Sequence, residues 1–194
     1  MVKILHLYYD LMNLYGEVGN VLAIEHYLKE NNTKYEVDKK SIKDEINFNE
    51  YDIVYIGCGT ESNQKIALKH LSNYSDDIKN YISDKKILIA TGNSYEMFGR
   101  YIENINGKRF QGLSIFKYYA KEKEDRTVIQ VKTDEVTGFI NIGSNVYGNN
   151  KPLFTIEENI EGYKHKNFYG THVIGPLLVL NDEILKNIIK SIEK

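Results

Sequence analysis

Two short, almost wholly apolar runs, Tyr51-Asp-Ile-Val-Tyr-Ile56 and Lys86-Ile-Leu-Ile-Ala90, each stop abruptly at a glycine-bearing turn. The turns are Gly57-Cys58-Gly59-Thr60 and Thr91-Gly92-Asn93-Ser94. Continuous apolar runs of this length mark strands buried on both faces, which is the situation in a parallel sheet covered by helices. Lys3-Ile-Leu-His-Leu-Tyr8 is a third such run, followed by turn-rich residues 9–19. After Asn20, placed to cap a helix, Val21, Ile24, Tyr27 and Leu28 recur near the 3.6-residue period, and the helix should stop near Asn31-Asn32. Tyr35-Glu-Val37 reads as an edge strand. Between residues 61 and 83, Ala67, Leu71, Tyr74, Ile78, Tyr81 and Ile82 describe one or two helices, and residues 95–101 a further short one. Such alternation of strands and helices specifies an α/β fold with a parallel central sheet.

Beyond Gly107 the pattern changes. Residues 113–121, 127–133, 138–142 and 167–170 are short, alternating segments separated by Gly and Asn, so the C-terminal half should carry mostly antiparallel strands. Asn181 then caps a last helix with Ile184, Leu185, Ile188, Ile189 and Ile192 on one face. No repeat or linker interrupts the 194 residues, which are expected to form a single domain over 1–194. The balance of 25 Lys+Arg against 27 Asp+Glu gives no electrostatic reason to expect nucleic acid as a partner. No apolar stretch approaches the roughly 20 residues of a spanning helix, so membrane insertion is not expected. The single cysteine makes no intrachain disulfide and the first residues do not read as a signal peptide, which together point to the cytoplasm.

In an open α/β sheet, ligands bind beyond the carboxyl ends of the strands. Gly57, Cys58, Gly59, Thr91, Gly92, Asn93 and Ser94 are therefore the candidate pocket, set against the plainer reading that the glycines simply make turns. Gly57-Cys58-Gly59 lacks the third glycine of a dinucleotide fingerprint, and no P-loop sequence exists. The five histidines show no ligand spacing, and His26 and His70 fall in helical stretches where a surface role fits, so neither a metal nor a cofactor is expected. Cys58 has the chemistry of a nucleophile at a helix N-terminus, and equally that of a small residue filling a tight turn.

Five landmarks in order, Asp10-Leu-Met-Asn-Leu-Tyr-Gly-Glu-Val-Gly-Asn20, Tyr51 to Gly59 with Gln64, Tyr95-Glu-Met-Phe-Gly99, Gln111-Gly-Leu113, and Tyr169-Gly-Thr-His-Val-Ile-Gly-Pro176, resemble the class I glutamine amidotransferase domains of the cobyric-acid-synthase-like branch. Within that branch they are most similar to the GatD-type glutaminase subunits of lipid II isoglutaminyl synthase. The resemblance implies a flavodoxin/Rossmann-like three-layer fold. It also implies a cysteine at a strand-to-helix elbow that attacks the glutamine amide, an oxyanion hole of backbone N–H groups, and a C-terminal histidine as base.

Both catalytic side chains are missing. Where the family motif reads Cys-Gly-Gly-Tyr-Gln, this chain has Gly92-Asn93-Ser94-Tyr95-Glu96, so the nucleophile position is Gly92. Where it reads Tyr-Leu-His-Gly-Pro, the chain has His172-Val173-Ile174-Gly175-Pro176, so the base position is Ile174. A Glu-Asn-His segment of the family is replaced by Gly138-Phe-Ile-Asn-Ile142. Losing one member of a nucleophile–base pair lowers the rate by roughly 10⁴ to 10⁶.

Three readings follow. The chain is a degenerate amidotransferase-like subunit that binds a partner, which the resemblance makes a Mur-ligase-like ATP-dependent synthetase, or binds a small glutamine-like ligand. Alternatively it is a working glutaminase, for cell-wall or corrinoid amidation, with relocated residues: Cys58 lies where the family places oxyanion-hole backbone, and His172, two residues from Ile174, shares its face if this stretch is a strand. The third reading is a stand-alone small-molecule-binding module.

Overall fold

The computed structural model describes residues 1–192. The chain runs through β1 (Val2–Leu7), α1 (Val18–Glu30), β2 (Tyr35–Lys40), β3 (Ile53–Ile56), α2 (Glu61–Leu71), α3 (Ser75–Ser83) and β4 (Ile87–Thr91). Short strands follow, β5 (Tyr101–Glu103) and β6 (Arg109–Gln111), and then a long hairpin of β7 (Tyr119–Lys132) and β8 (Thr137–Tyr147). The remainder is β9 (Phe154–Ile156), β10 (Asn159–Glu161), β11 (Tyr163–His165), β12 (Phe168–Thr171), α4 (Leu177–Leu180) and α5 (Asp182–Ile189).

The central sheet has the order β11-β12-β4-β3-β1-β2 and is parallel except for β11. Successive side chains of a strand face opposite ways, and the two faces have separate cores. Leu5, Leu7, Val54, Ile56, Leu88 and Ala90 pack with α2 and α3, whereas Ile4, Ile53, Tyr55, Ile87 and Ile89 pack with α1, α4 and α5. This is the three-layer α/β architecture that the resemblance implies, around the parallel sheet that the apolar runs specify. β5 to β8 form a second, four-stranded sheet of order β6-β5-β7-β8, antiparallel except for the β5–β7 pair.

Several local expectations are corrected. Asn20 does not cap α1: the helix begins at Val18, and Asn20, fully buried, instead accepts from the backbone N–H of Leu178 at 2.7 Å and donates to the Tyr55 hydroxyl at 2.8 Å. Next to it, Gly19 lets α1 approach the chain closely, since a Cβ there would lie 2.5 Å from Pro176. The Gly19-Asn20 and Gly175-Pro176 landmarks are thus two sides of one contact. The helix expected over 95–101 is a 3-10 segment, Gly92–Phe98, that gives way to β5. The strand expected at 113–121 begins only at Tyr119, and it and the 127–133 segment are one strand, β7, with an irregularity between Glu122 and Thr127. The segment at 167–170 is β12, which pairs in parallel with β4 and belongs to the central sheet. Asn181 stands before α5 but makes no side-chain cap; its amide bridges to Thr137 and Leu177. Ile192 lies beyond the last helical residue while still packing on the core. His70, expected at the surface, is half-buried against the Tyr8 hydroxyl at 2.9 Å.

No helix among the described residues is long and apolar enough to cross a membrane.

Candidate functional site

The register aligns Ile56 with Ala90 and Thr91 with Thr171, so β3, β4 and β12 deliver their carboxyl ends to one edge of the sheet. Gly57–Thr60, Gly92–Ser94 and residues 172–175 therefore come together, as the rule for α/β sheets requires. Elsewhere in the fold, no group of three His, Cys, Asp or Glu among the described residues is placed to hold a metal.

Gly92 adopts φ +62°, the left-handed conformation of a strained strand-to-helix elbow. A side chain here would project straight at the neighbouring strand end. Its Cβ would lie 2.5 Å from both Cβ and Sγ of Cys58, far inside contact distance. The Cys58 side chain thus takes up the space that an elbow side chain would need. Cys58 is 4% exposed, and burial, with Glu17 and Glu96 adding to it, pushes its thiol up to about 12. At neutral pH it is a protonated thiol that faces the Gly59 carbonyl at 3.8 Å.

Asn93 closes the same spot from the other side. Its carboxamide accepts from Gly59 N–H at 3.1 Å and donates to Gly59 C=O at 2.9 Å, while its own carbonyl accepts from Gln64 at 2.6 Å. The backbone donor beside Cys58 is already bonded to an amide that the chain itself carries. Ser94 donates to the carbonyls of Ile56 and Thr91, at 3.0 and 2.8 Å, and is fully buried. Thr91 binds Glu17, which also accepts from Tyr55 at 2.8 Å and from Gly175 N–H at 3.5 Å. Burial raises Glu17 above the ordinary carboxyl range, against the opposing pull of those donors. Gly57 abuts this group, since a Cβ there would lie 2.9 Å from the Glu17 Cβ. What remains open is a cavity of about 110 Å³, roofed where Arg126 binds Glu61 at 2.6 Å and Asn141 at 2.8 Å, and where Asn141 reaches the Tyr15 hydroxyl at 3.0 Å.

Glu96, at the motif's glutamine position, stands behind the elbow and is 1% exposed. It accepts from Gln64 at 2.9 Å and Ser144 at 2.5 Å and meets His172 Nε2 at 3.0 Å. On its other side, His172 Nδ1 is 3.5 Å from Glu161, whose second oxygen accepts from Thr171 at 2.8 Å and from the His172 N–H at 2.6 Å. Burial alone would suppress the charge on His172, but Glu161 and then Glu96 outweigh it and hold the imidazole up to about 9. Burial likewise opposes the charge on Glu161, yet His172 keeps that carboxyl below its ordinary range. An imidazolium held between two carboxyl groups is a poor proton acceptor.

Cys58 and His172 are accordingly not joined: the first lines the small cavity, the second a larger one beyond Glu96 and Ser144. The two-residue spacing from Ile174 does not hold as a strand period, because β12 ends at Thr171. Ile174 is fully buried and exchanges backbone hydrogen bonds with Phe139, at 2.8 and 3.1 Å, within the Gly138–Ile142 stretch. Sequence reasoning did not single out Glu17, Glu61, Glu96, Arg126, Ser144 or Glu161 as site residues. Glu96 carried a signal, an acid where the motif has an amide; the others carried none within their local stretches.

Residues 3–178 match the CobB/CobQ-like glutamine amidotransferase domain. The chain is 30% identical to the GatD subunit of lipid II isoglutaminyl synthase (glutamine-hydrolysing) from Streptococcus pneumoniae, over 93% of this chain and 76% of the relative. It is also 30% identical to the subunit of the same name from Staphylococcus aureus, over 94% and 81%. A glutamine amidotransferase of known structure from Thermotoga maritima superimposes with a TM-score of 0.59 at 11% identity, covering 99% of this chain and 96% of the other. A second glutamine amidotransferase structure gives 0.61 at 7% identity, covering 98% and 99%.

Proposed function

Because the chain belongs to the CobB/CobQ-like glutamine amidotransferase domain family, we propose that it is a GatD-like subunit that has given up glutamine hydrolysis and acts by associating with a synthetase. The observation that carries this reading is the elbow: glycine at φ +62° with the Cys58 side chain packed into the space its Cβ would need. A thioester route requires a thiolate within reach of a base. Here the one thiol is buried and protonated, and the one nearby imidazole is held as a cation by Glu161 and Glu96. The relocated Cys58–His172 pair therefore has neither the contact nor the protonation states for the work.

The relatives are named as subunits, and the chain contains no P-loop of its own, so ATP-dependent chemistry belongs to the partner. The expected partner is a Mur-ligase-like ATP-dependent synthetase, which would take free ammonia or use this domain as a scaffold. The test is size-exclusion chromatography of the chain mixed with the Mur-ligase-like protein of its own organism. Co-elution as one complex is expected. Separate elution overturns the subunit reading and favours a stand-alone ligand-binding module.

A further inference from the structure

Beyond Glu96, on the side away from the elbow, a cavity of about 450 Å³ opens between β8 and the β9–β10 hairpin. Its walls are Ile129, Ile140, Ile142, Ile156 and Ile160, and its floor holds Tyr95, Ser144, Glu161 and His172. This is the composition of a small-molecule site: an apolar surround with a few convergent polar groups.

The polar floor has a definite sign. Glu157 and Glu161 line the cavity, and neither Lys nor Arg does. Lys123 sits by the rim, but its ammonium donates to Thr127 and to Asn145 at 3.1 Å. The sole cation in the lining, His172, is already taken by Glu96 and Glu161. Of the two Glu161 oxygens, Oε1 accepts two hydrogen bonds, whereas Oε2 has only His172 Nδ1 at 3.5 Å. A carboxylate oxygen can accept two donors, so Oε2 has capacity left over. Tyr95 also lines the cavity, and its hydroxyl makes no hydrogen bond to any described residue.

From this geometry we propose that the cavity binds a small organic amine, with its ammonium on Glu161 Oε2 and the Tyr95 hydroxyl oxygen and its apolar body against the isoleucines. An ammonium brings three donors and no acceptor, which matches a lining with acceptor capacity left on Glu161 Oε2 and on the Tyr95 hydroxyl oxygen. A carboxylate ligand would face Glu157 and Glu161, and an alcohol would bring no charge to a lining in which these two carboxyl groups face one imidazolium. The cavity shares Ile142 and Ser144 with the smaller one at the elbow, and amine binding is read by a measurement that does not depend on whether glutamine is hydrolysed.

Titration of the whole chain with n-hexylamine, followed by amide chemical-shift mapping and calorimetry at neutral pH, tests it against hexan-1-ol and hexanoate, which share the six-carbon body. Saturable binding of the amine is expected, with shifts centred on Ile140, Ser144 and Glu161. Hexan-1-ol should bind roughly tenfold more weakly, and hexanoate not measurably. Glu161→Gln should weaken the amine by roughly tenfold or more and Tyr95→Phe by a few-fold. Circular dichroism checks that each variant is folded, and the three-probe comparison on the unaltered chain decides the matter if Glu161→Gln is not. Equal binding of hexanoate, shifts elsewhere on the surface, no saturation by the amine, or unchanged affinity in a folded Glu161→Gln variant overturns the proposal.

Discussion

The two sides of Glu96 are built on opposite principles. On the elbow side, Gly92, Cys58 and Asn93 satisfy one another: side-chain volume fills the turn, and an internal amide takes the Gly59 peptide, leaving about 110 Å³. On the other side, Glu161, His172 and Tyr95 keep charge and unmet hydrogen-bonding capacity facing about 450 Å³. The elbow turn is packed, whereas the far side is open. The turn at Gly92 keeps its left-handed conformation, and the space a side chain would need there is filled by Cys58.

The sharpest way to break that contrast is to put a side chain back at the elbow. Gly92→Ala combines a left-handed residue, unfavourable by roughly 1–2 kcal/mol, with overpacking against Cys58, typically roughly 1–3 kcal/mol. A loss of roughly 2–5 kcal/mol in chemical denaturation is therefore expected. In a Cys58→Gly background the steric part should vanish, so the double-mutant cycle should show a coupling of roughly 1–3 kcal/mol. Additive effects would mean that Cys58 does not fill the elbow.

A smaller effect separates the two sides by pH. His172 is raised to about 9, and for a base that gains partners on folding the stabilisation is complete below about 6.5 and is lost as pH rises toward 9. Stability should fall by roughly 1–3 kcal/mol across that window, and His172→Gln should flatten the slope. Cys58, whose thiol is pushed up to about 12, lowers stability only as pH rises through the ordinary thiol value of 9.0, at the upper end of that window and beyond. His6 is the mirror case. Buried on β1 with neither ring nitrogen hydrogen-bonded, it is lowered to about 4 by burial and then by Lys39. It stays neutral in the fold, so stability should fall as pH drops from about 6.5 toward 4, and His6→Phe should shorten that acid limb. Thermal melts across pH 4–9 read both limbs.

The central sheet was legible because the signal for β1, β3 and β4 is local: each is an unbroken apolar run that ends at a turn. The β7–β8 arm was cut into pieces because much of β7 is exposed and carries no sustained alternation. Asn20 lies inside α1, and Asn181 holds the N-cap position of α5 without a side-chain cap, because their amides bind residues 158 and 44 positions away, partners that a short window cannot see. At the site, a glycine at position 92 and an isoleucine at position 174, where the resemblance expects a cysteine and a histidine, could be read residue by residue. The filling of the elbow by Cys58 was not, because it depends on the sign of φ at Gly92 and on two strand ends lying side by side. Nor was the Glu96–His172 contact, which spans 76 residues of chain.

Ammonia release from L-glutamine is the most direct test, measured on the chain alone and with the Mur-ligase-like synthetase, beside a Cys58→Ala variant. Release no faster than the protein-free blank is expected in every arm. Saturable turnover by the unaltered chain that disappears in Cys58→Ala would contradict it.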